Sequence, residues 1–345
     1  MMRVSDIALM ADLFLLNLQN TNSKNNSAEF SNQENEMDKP LVVVVLGPTA
    51  SGKTSLGIEI AEKLGGEIVS ADSMQIYENM DIATAKPTAD ELSRVKHHLI
   101  GFVPVGEKFS VAKYKEKSIE AIDDILSRGK LPVVVGGTGF YIDTLVKNTE
   151  FLDYEESGIR EKLEAKCRSE GIEVLYDELK TIDPKAAEKL HLNDNKRIIR
   201  ALEVYYSTGK TITEQEEASH LNESRYRWCL IGLTAKDRQY LYDRINLRVD
   251  MMVNEGLIEE AVSFFNSDVS STAAQAIGYK ELKPYIDSLV TLDEALDKLK
   301  MESRRYAKRQ LTWFRRNPDI NWLETDILSK QELISKACEI IIKER

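Results

Sequence analysis

The chain has 345 residues, of which 42% are apolar and 30% charged, with a formal net charge of −11. This is the make-up of an ordinary soluble globular protein with room for a full core and a second domain. The acidic balance excludes indiscriminate nucleic-acid binding, so any polyanion must be met by a local patch. Three cysteines, Cys167, Cys229 and Cys338, show neither even pairing nor metal-ligand spacing, which points to the reducing cytoplasm. No apolar run approaches the roughly 20 residues of a membrane span.

In chain order, residues 7–18 are apolar but short, carry almost no positive flank and precede no small-residue cleavage site. Residues 19–38 are rich in Asn, Ser, Glu and Gln. Residues 1–38 are therefore expected to be a disordered, dispensable extension, with Met37 as the working start and the fold beginning near Lys39. LVVVVL (41–46) reads as a buried strand, and GPTASGKT (47–54) follows it. Gly47 and Gly52 let successive backbone N–H groups turn toward an anion. Lys53 adds a full charge for a terminal phosphate, and the Thr54 hydroxyl is placed to ligate Mg²⁺. Leu56, Ile60 and Leu64 fall at helical spacing before Gly65-Gly66 stops the helix.

GEIVSADS (66–73) holds a second strand, ending at Asp72. Ser110 caps a helix to Arg128, LPVVVGGTG (131–139) is a third strand, and RWCLIGL (227–233) a fourth. From about 150 to 195 the sequence turns charged and helical, with Asp183 as a cap and Pro184 in the first helical position. Two long helices are expected near 236–266 and 291–316, the second opened by the capping box Thr291 and Glu294. The alternation predicts an α/β fold: a P-loop parallel sheet core flanked by helices over 39–149 and 196–330, with a small helical insertion domain at 150–195.

Ligands of such sheets sit at the carboxyl ends of the strands. Those ends here carry GPTASGKT, SADSMQ and GGTG. A nucleotide-hydrolysing enzyme would place a metal-binding acid at the third-strand end. This chain has Gly136-Gly137-Thr138-Gly139 instead. Asp72, the one carboxylate at a strand end, suits a metal partner, a general base or a turn cap, and composition does not decide among them. His97-His98 has no third ligand at metal spacing and reads as structural. Residues 300–316 hold seven Lys or Arg against Glu302 alone. Leu296, Leu299, Tyr306 and Trp313 form an apolar stripe there, while Arg304, Lys308 and Arg315 track another face, which is either a phosphate-contacting or a solvated one.

Six blocks occur in order: GPTASGKT, SADSMQIYENMDIATAKP (70–87), GGTGFY (136–141), NDNKRIIRALEV (193–204), AIGYKEL (276–282) and AKRQLTWFR (307–315). Together they resemble the tRNA dimethylallyltransferases, or isopentenyltransferases, over roughly residues 40–325. The resemblance implies transfer of a dimethylallyl group from dimethylallyl diphosphate to the exocyclic N6 of the adenosine 3′-adjacent to the anticodon. Gly47, Thr49, Ala50, Ser51, Gly52, Lys53 and Thr54 would cradle the diphosphate, with Mg²⁺ on Thr54 and Asp72 as base. An arginine of DRINLR, Arg244 or Arg248 one helical turn on, would reach the diphosphate, with Arg244 favoured. Ser73, Met74 and Gln75 would read the flipped base beside Asp72. Thr138, Arg160, Lys196, Arg197 and Arg200 match positions that touch tRNA, and Arg304, Lys308 and Arg315 would meet its phosphates. Lys196 stands where Gln is expected, Gly101 where Asp is usual, and Ala83 where Gly is usual. The implied partners are the anticodon stem-loop and the prenyl diphosphate, with no membrane and a monomeric protein. Rival readings are a free-nucleotide isopentenyltransferase acting on AMP or ADP, a small-molecule kinase, and a non-catalytic RNA-binding protein.

Overall fold

The computed structural model describes residues 39–151, 158–219 and 223–345; the expected N-terminal extension lies outside them. Among the described residues one six-stranded sheet runs in the order β3-β2-β4-β1-β5-β6, with every neighbouring pair parallel. Its strands are β1 Leu41–Leu46, β2 Gly66–Ser70, β3 His97–His98, β4 Leu131–Gly136, β5 Arg227–Thr234 and β6 Asn321–Glu324. β1 is central, with Val43 opposite Val133 on one side and Cys229 on the other. Covered on both faces, it is continuously apolar rather than alternating. The pleat sorts its valines. Val43 and Val45 pack with Leu56 and Ile60 of helix α1 (Lys53–Leu64), and Val42 and Val44 with Tyr114, Ile122 and Ile125 of the helix Val111–Ser127.

Four strands fall where the sequence places them. The second stops at Ser70 rather than Asp72, because the Asp72 side chain closes a turn instead of extending the ladder. The edge strands β3 and β6, of two and four residues, are too short to leave a pattern.

The expected helix at 236–266 is two helices, Arg238–Asn254 and Leu257–Phe265. Gly256, at φ 101°, takes the left-handed conformation that breaks them, which a side chain would strain. Leu292–Phe314 forms one helix, with the expected capping box at Thr291. Asp183 also caps as expected, accepting from Ala186 N at 3.1 Å, and it binds the Thr213 hydroxyl at 2.6 Å.

The helical module extends beyond the expected edge at 195. Ile198, Ile199 and Leu202 of the helix Asn195–Thr208 share one apolar cluster with Leu163, Leu175 and Leu179. That helix buries its apolar face in the module, not against the sheet. A further cluster joins Ile76, Tyr77 and Met80, just after β2, to Val249, Leu257, Tyr279 and Leu299 from the C-terminal helices. It fixes those helices over the carboxyl end of the sheet.

Candidate active site

Three chain segments meet at that end, and close backbone approach sets their spacing. A Cβ on Gly47 would stand 2.6 Å from the Leu233 carbonyl oxygen, and one on Gly136 would stand 2.1 Å from that of Ala71. Helix α1 starts at Gly52 with no side-chain cap, so its first N–H groups and dipole are left for an anion. Lys53 Nζ donates to the Pro48 carbonyl at 2.7 Å. Burial pushes its pKa down to about 8; Arg248 adds to the fall and Asp72 opposes it. Among the described residues no carboxylate forms an ion pair with it.

Both candidate arginines reach the loop. Arg244 Nε donates to the Ala50 carbonyl at 2.8 Å, and Arg248 Nη1 lies 3.4 Å from Thr49 Oγ1. Burial holds Arg248 below its usual pKa. Arg248 lines an inner cavity of about 310 Å³ together with Thr49, Lys53, Thr54 and Asp72. Arg244 instead lines an adjoining, more open recess with Ala50 and Gly52. The inner cavity also has an apolar lining, with Ile245, Val249, Met252, Leu257 and Leu299.

Asp72 accepts from the backbone N–H of Met74 at 2.9 Å and of Gln75 at 3.3 Å, both on Oδ1. It is therefore a turn cap, and its carboxylate also faces the cavity. The neighbouring Ser73 N–H donates to Thr138 Oγ1 at 3.0 Å, tying the turn after β2 to the turn after β4. Ser73 and Met74 line the cavity. Gln75 lines it too, but its amide is engaged: Nε2 donates to the Thr84 and Ala85 carbonyls at 3.2 and 3.0 Å, and Oε1 accepts from Ser70 Oγ at 3.3 Å. Those bonds make Gln75 a brace for the loop that follows.

Two side chains of the site leave no mark in the sequence. Gln310 accepts from Thr49 N at 2.8 Å and donates from Nε2 to the Gly137 carbonyl at 2.9 Å, clamping the phosphate loop to the glycine turn. It lies inside the AKRQLTWFR block, where its cationic neighbours are the stronger signal. Glu260 accepts from the N–H groups of Asp81, Ile82 and Ala83 at 2.7–2.9 Å and from the Tyr279 hydroxyl at 2.7 Å. Nothing around Glu260 in the sequence distinguishes it from a solvated acid.

The remaining expected RNA contacts lie outside the cavity. Arg160 pairs with Glu164 and Glu203 at 3.2 and 3.1 Å, on the helix Ile159–Glu170. Lys196, Arg197 and Arg200 are exposed on Asn195–Thr208. Lys308 and Arg315 are exposed, whereas Arg304 is half-buried and donates to Asn246 Oδ1 at 2.6 Å, bracing two helices.

Among the described residues no group of three or more His, Cys, Asp or Glu could hold a metal. The donors at the loop are the Thr54 hydroxyl and the Ser51 hydroxyl, the latter buried with no partner. A sparse oxygen set of this kind fits a cation that keeps waters and takes ligands from substrate phosphates, as Mg²⁺ does. It does not fit a zinc cage.

The fold and site together define a phosphate-loop α/β protein with Lys53, Arg248 and Asp72 lining one cavity at the carboxyl end of its sheet. The chain belongs to the IPP transferase family, whose model matches residues 75–317. A tRNA dimethylallyltransferase of Acetivibrio thermocellus is 51% identical over 298 residues, covering 86% of this chain and 95% of the relative. The solved tRNA isopentenylpyrophosphate transferase of Bacillus halodurans is 43% identical, with a TM-score of 0.67 over 89% of this chain and 97% of that one. A eukaryotic dimethylallyltransferase solved acting on tRNA is 30% identical, with a TM-score of 0.73 over 88% and 80%. Among the described residues no helix is long and apolar enough to cross a membrane.

Proposed function

We infer that the chain transfers a dimethylallyl group from dimethylallyl diphosphate to N6 of the adenosine 3′-adjacent to the anticodon of tRNA. The observation that carries this is the shared cavity: the cations Lys53 and Arg248 line it together with apolar side chains, and Asp72 is the only carboxylate among the described residues that does so. The amino lone pair of adenine is delocalised into the ring, so the nitrogen needs both a base and a good leaving group. N6 forms a bond to C1 of the prenyl chain while the C1–O bond breaks, its electron pair leaving with the diphosphate. The N6 proton passes to Asp72. Lys53, Arg248, Arg244 and the amides of Ala50 and of Gly52 to Thr54 stabilise the departing anion. Mg²⁺ held by Thr54 would neutralise further charge on that diphosphate.

The target base must leave its stack to react. Ser73, Met74 and pocket shape select it, while Thr138, Arg160, Lys196, Arg197, Arg200, Lys308 and Arg315 serve the tRNA outside the cavity. The helical module and the cationic helix have no use for a mononucleotide, and the relatives are named for tRNA. Both features favour tRNA over free AMP. The protein works as a monomer in the cytoplasm. Incubating it with labelled dimethylallyl diphosphate and, separately, tRNA, AMP or ATP tests the reading. Label should enter tRNA alone. Label in AMP would establish the free-nucleotide enzyme, and ATP turnover without prenyl transfer would establish a kinase.

A further inference from the structure

Just outside the cavity stands a group of aromatic rings that the reaction does not use. Phe140, at the start of the helix Gly139–Val146, is 49% exposed, two residues beyond the Thr138 that anchors Ser73. Its ring meets Phe151 at 6.4 Å and 84°, and Trp313 at 6.5 Å and 72°. Both contacts are edge-to-face, the favoured geometry for aromatic pairs. Trp313 is itself fixed, with its Nε1 donating to Asp143 Oδ2 at 3.1 Å and the Arg316 guanidinium 4.1 Å from its ring centroid. Gly139 leaves room for that indole, since a Cβ there would lie 2.3 Å from Trp313 Cδ1.

Single exposed apolar residues are common and need no explanation. This one is met edge-on by two rings, one of which, Trp313, carries the exposed Arg316 over its face, and Lys308, Arg309 and Arg315 of the same stretch as Trp313 are exposed as well. It also continues a line from the cavity along the helix Leu292–Phe314: Tyr306 and Arg309 line the cavity, and Trp313 follows one turn on. A rigid, exposed π-face among cations suits an unpaired nucleobase, because every base can stack and the neighbouring phosphates are paired by charge.

We propose that Phe140, backed by Trp313, is a stacking shelf for one unpaired base of the anticodon loop beside the adenosine that enters the cavity. It holds the loop open while the reacting base is turned inward. The proposal rests on the tRNA reading above and assigns Phe140 a positioning role.

Its test measures KM and kcat on an anticodon stem-loop, together with binding, for Phe140→Ala, Phe140→Leu and Phe140→Trp. Phe140→Ala should raise KM and Kd for the stem-loop roughly five- to a hundredfold, with kcat at saturation within about twofold and an unchanged melting temperature. Phe140→Leu, which keeps apolar bulk but has no π-face, should behave like the alanine variant, and Phe140→Trp should restore binding. Stem-loops made abasic at each loop position in turn should include one for which wild type and Phe140→Ala bind equally. Unchanged binding by Phe140→Ala, full rescue by leucine, or loss of self-association in place of RNA binding would overturn the shelf. If wild type transfers no label to the stem-loop, the tRNA reading itself fails, a result separate from these.

Discussion

The sheet carries a charge cluster at each end, and the two are balanced in opposite ways. At the amino end of β2, Glu67 is 2% exposed and saturated: Arg128, Lys130 and His98 all bind its carboxylate, the last two at 2.7 and 2.8 Å. Its pKa is held far below the ordinary carboxylate range, first by Arg128, then by Lys130 and His98, against the opposing effect of burial. At the carboxyl end the proportions reverse, with Lys53 and Arg248 enclosed beside the single carboxylate Asp72. A satisfied cluster stabilises the fold. An unsatisfied one destabilises the empty protein and is relieved when an anion arrives.

The largest expected break in this comparison is Asp72→Ala. Prenyl transfer to tRNA should fall about 10²–10⁴-fold in single-turnover assays, with tRNA affinity nearly kept. A variant retaining half of wild-type kcat would remove Asp72 from the role of base. At the opposite end, Glu67→Gln should lose about 3 kcal/mol in denaturant titrations while the folded fraction keeps its kcat. This is the low end for a broken buried ion pair, because Arg128 and Lys130 stay half in water. The depressed carboxylate also fixes a pH window. Its stabilisation is complete above about pH 5 and is lost progressively as pH falls below the unfolded value of 4.5. Acid unfolding of Glu67→Gln should therefore begin from a lower plateau and change less steeply.

Lys53→Met should lower kcat/KM for dimethylallyl diphosphate about 10²-fold and yet raise the melting temperature of the ligand-free protein. Below pH 8 the enclosed ammonium costs the folded state. Between about 8 and its ordinary 10.5 the unfolded chain binds more protons, so wild-type stability should climb toward that of the variant. A constant difference across that range would show that Lys53 is not strained. The smallest effect is electrostatic. Replacing Lys308 and Arg315 with Gln should flatten the dependence of log K for tRNA on log[salt] by about 0.7–0.9 for each phosphate left unpaired. Arg304→Gln should change that slope little, because Arg304 is held by Asn246.

The two ends of the sheet also differ in how far the sequence reveals them. GPTASGKT announces its cradle because glycine, lysine and threonine are needed at fixed spacing to turn a loop around phosphate. The strands β1, β2, β4 and β5 announce themselves through long apolar runs. Glu67, by contrast, is one acid at the start of a strand, and its partners come from residues 31 to 63 positions away. Gln75 reads as a base contact because its neighbours face the cavity; only the carbonyls of Thr84 and Ala85 show where its amide is engaged. The edge of the helical module is invisible in the sequence because Asn195–Thr208 has the same helical period whichever core it joins. Periodicity gives the face of a helix and not its partner.

The Gln310 clamp has a consequence for the order in which the site comes into being. The loop it secures is made early, but the side chain that secures it lies 261 residues later. At synthesis rates of about 5–20 residues per second, the cradle waits roughly 10 to 50 s for its clamp. During that interval the nascent chain has a phosphate loop and a central strand without the helix that sets their spacing. The clamped cradle thus arrives only with the helix Leu292–Phe314, and a chain released early would carry the motif without its clamp.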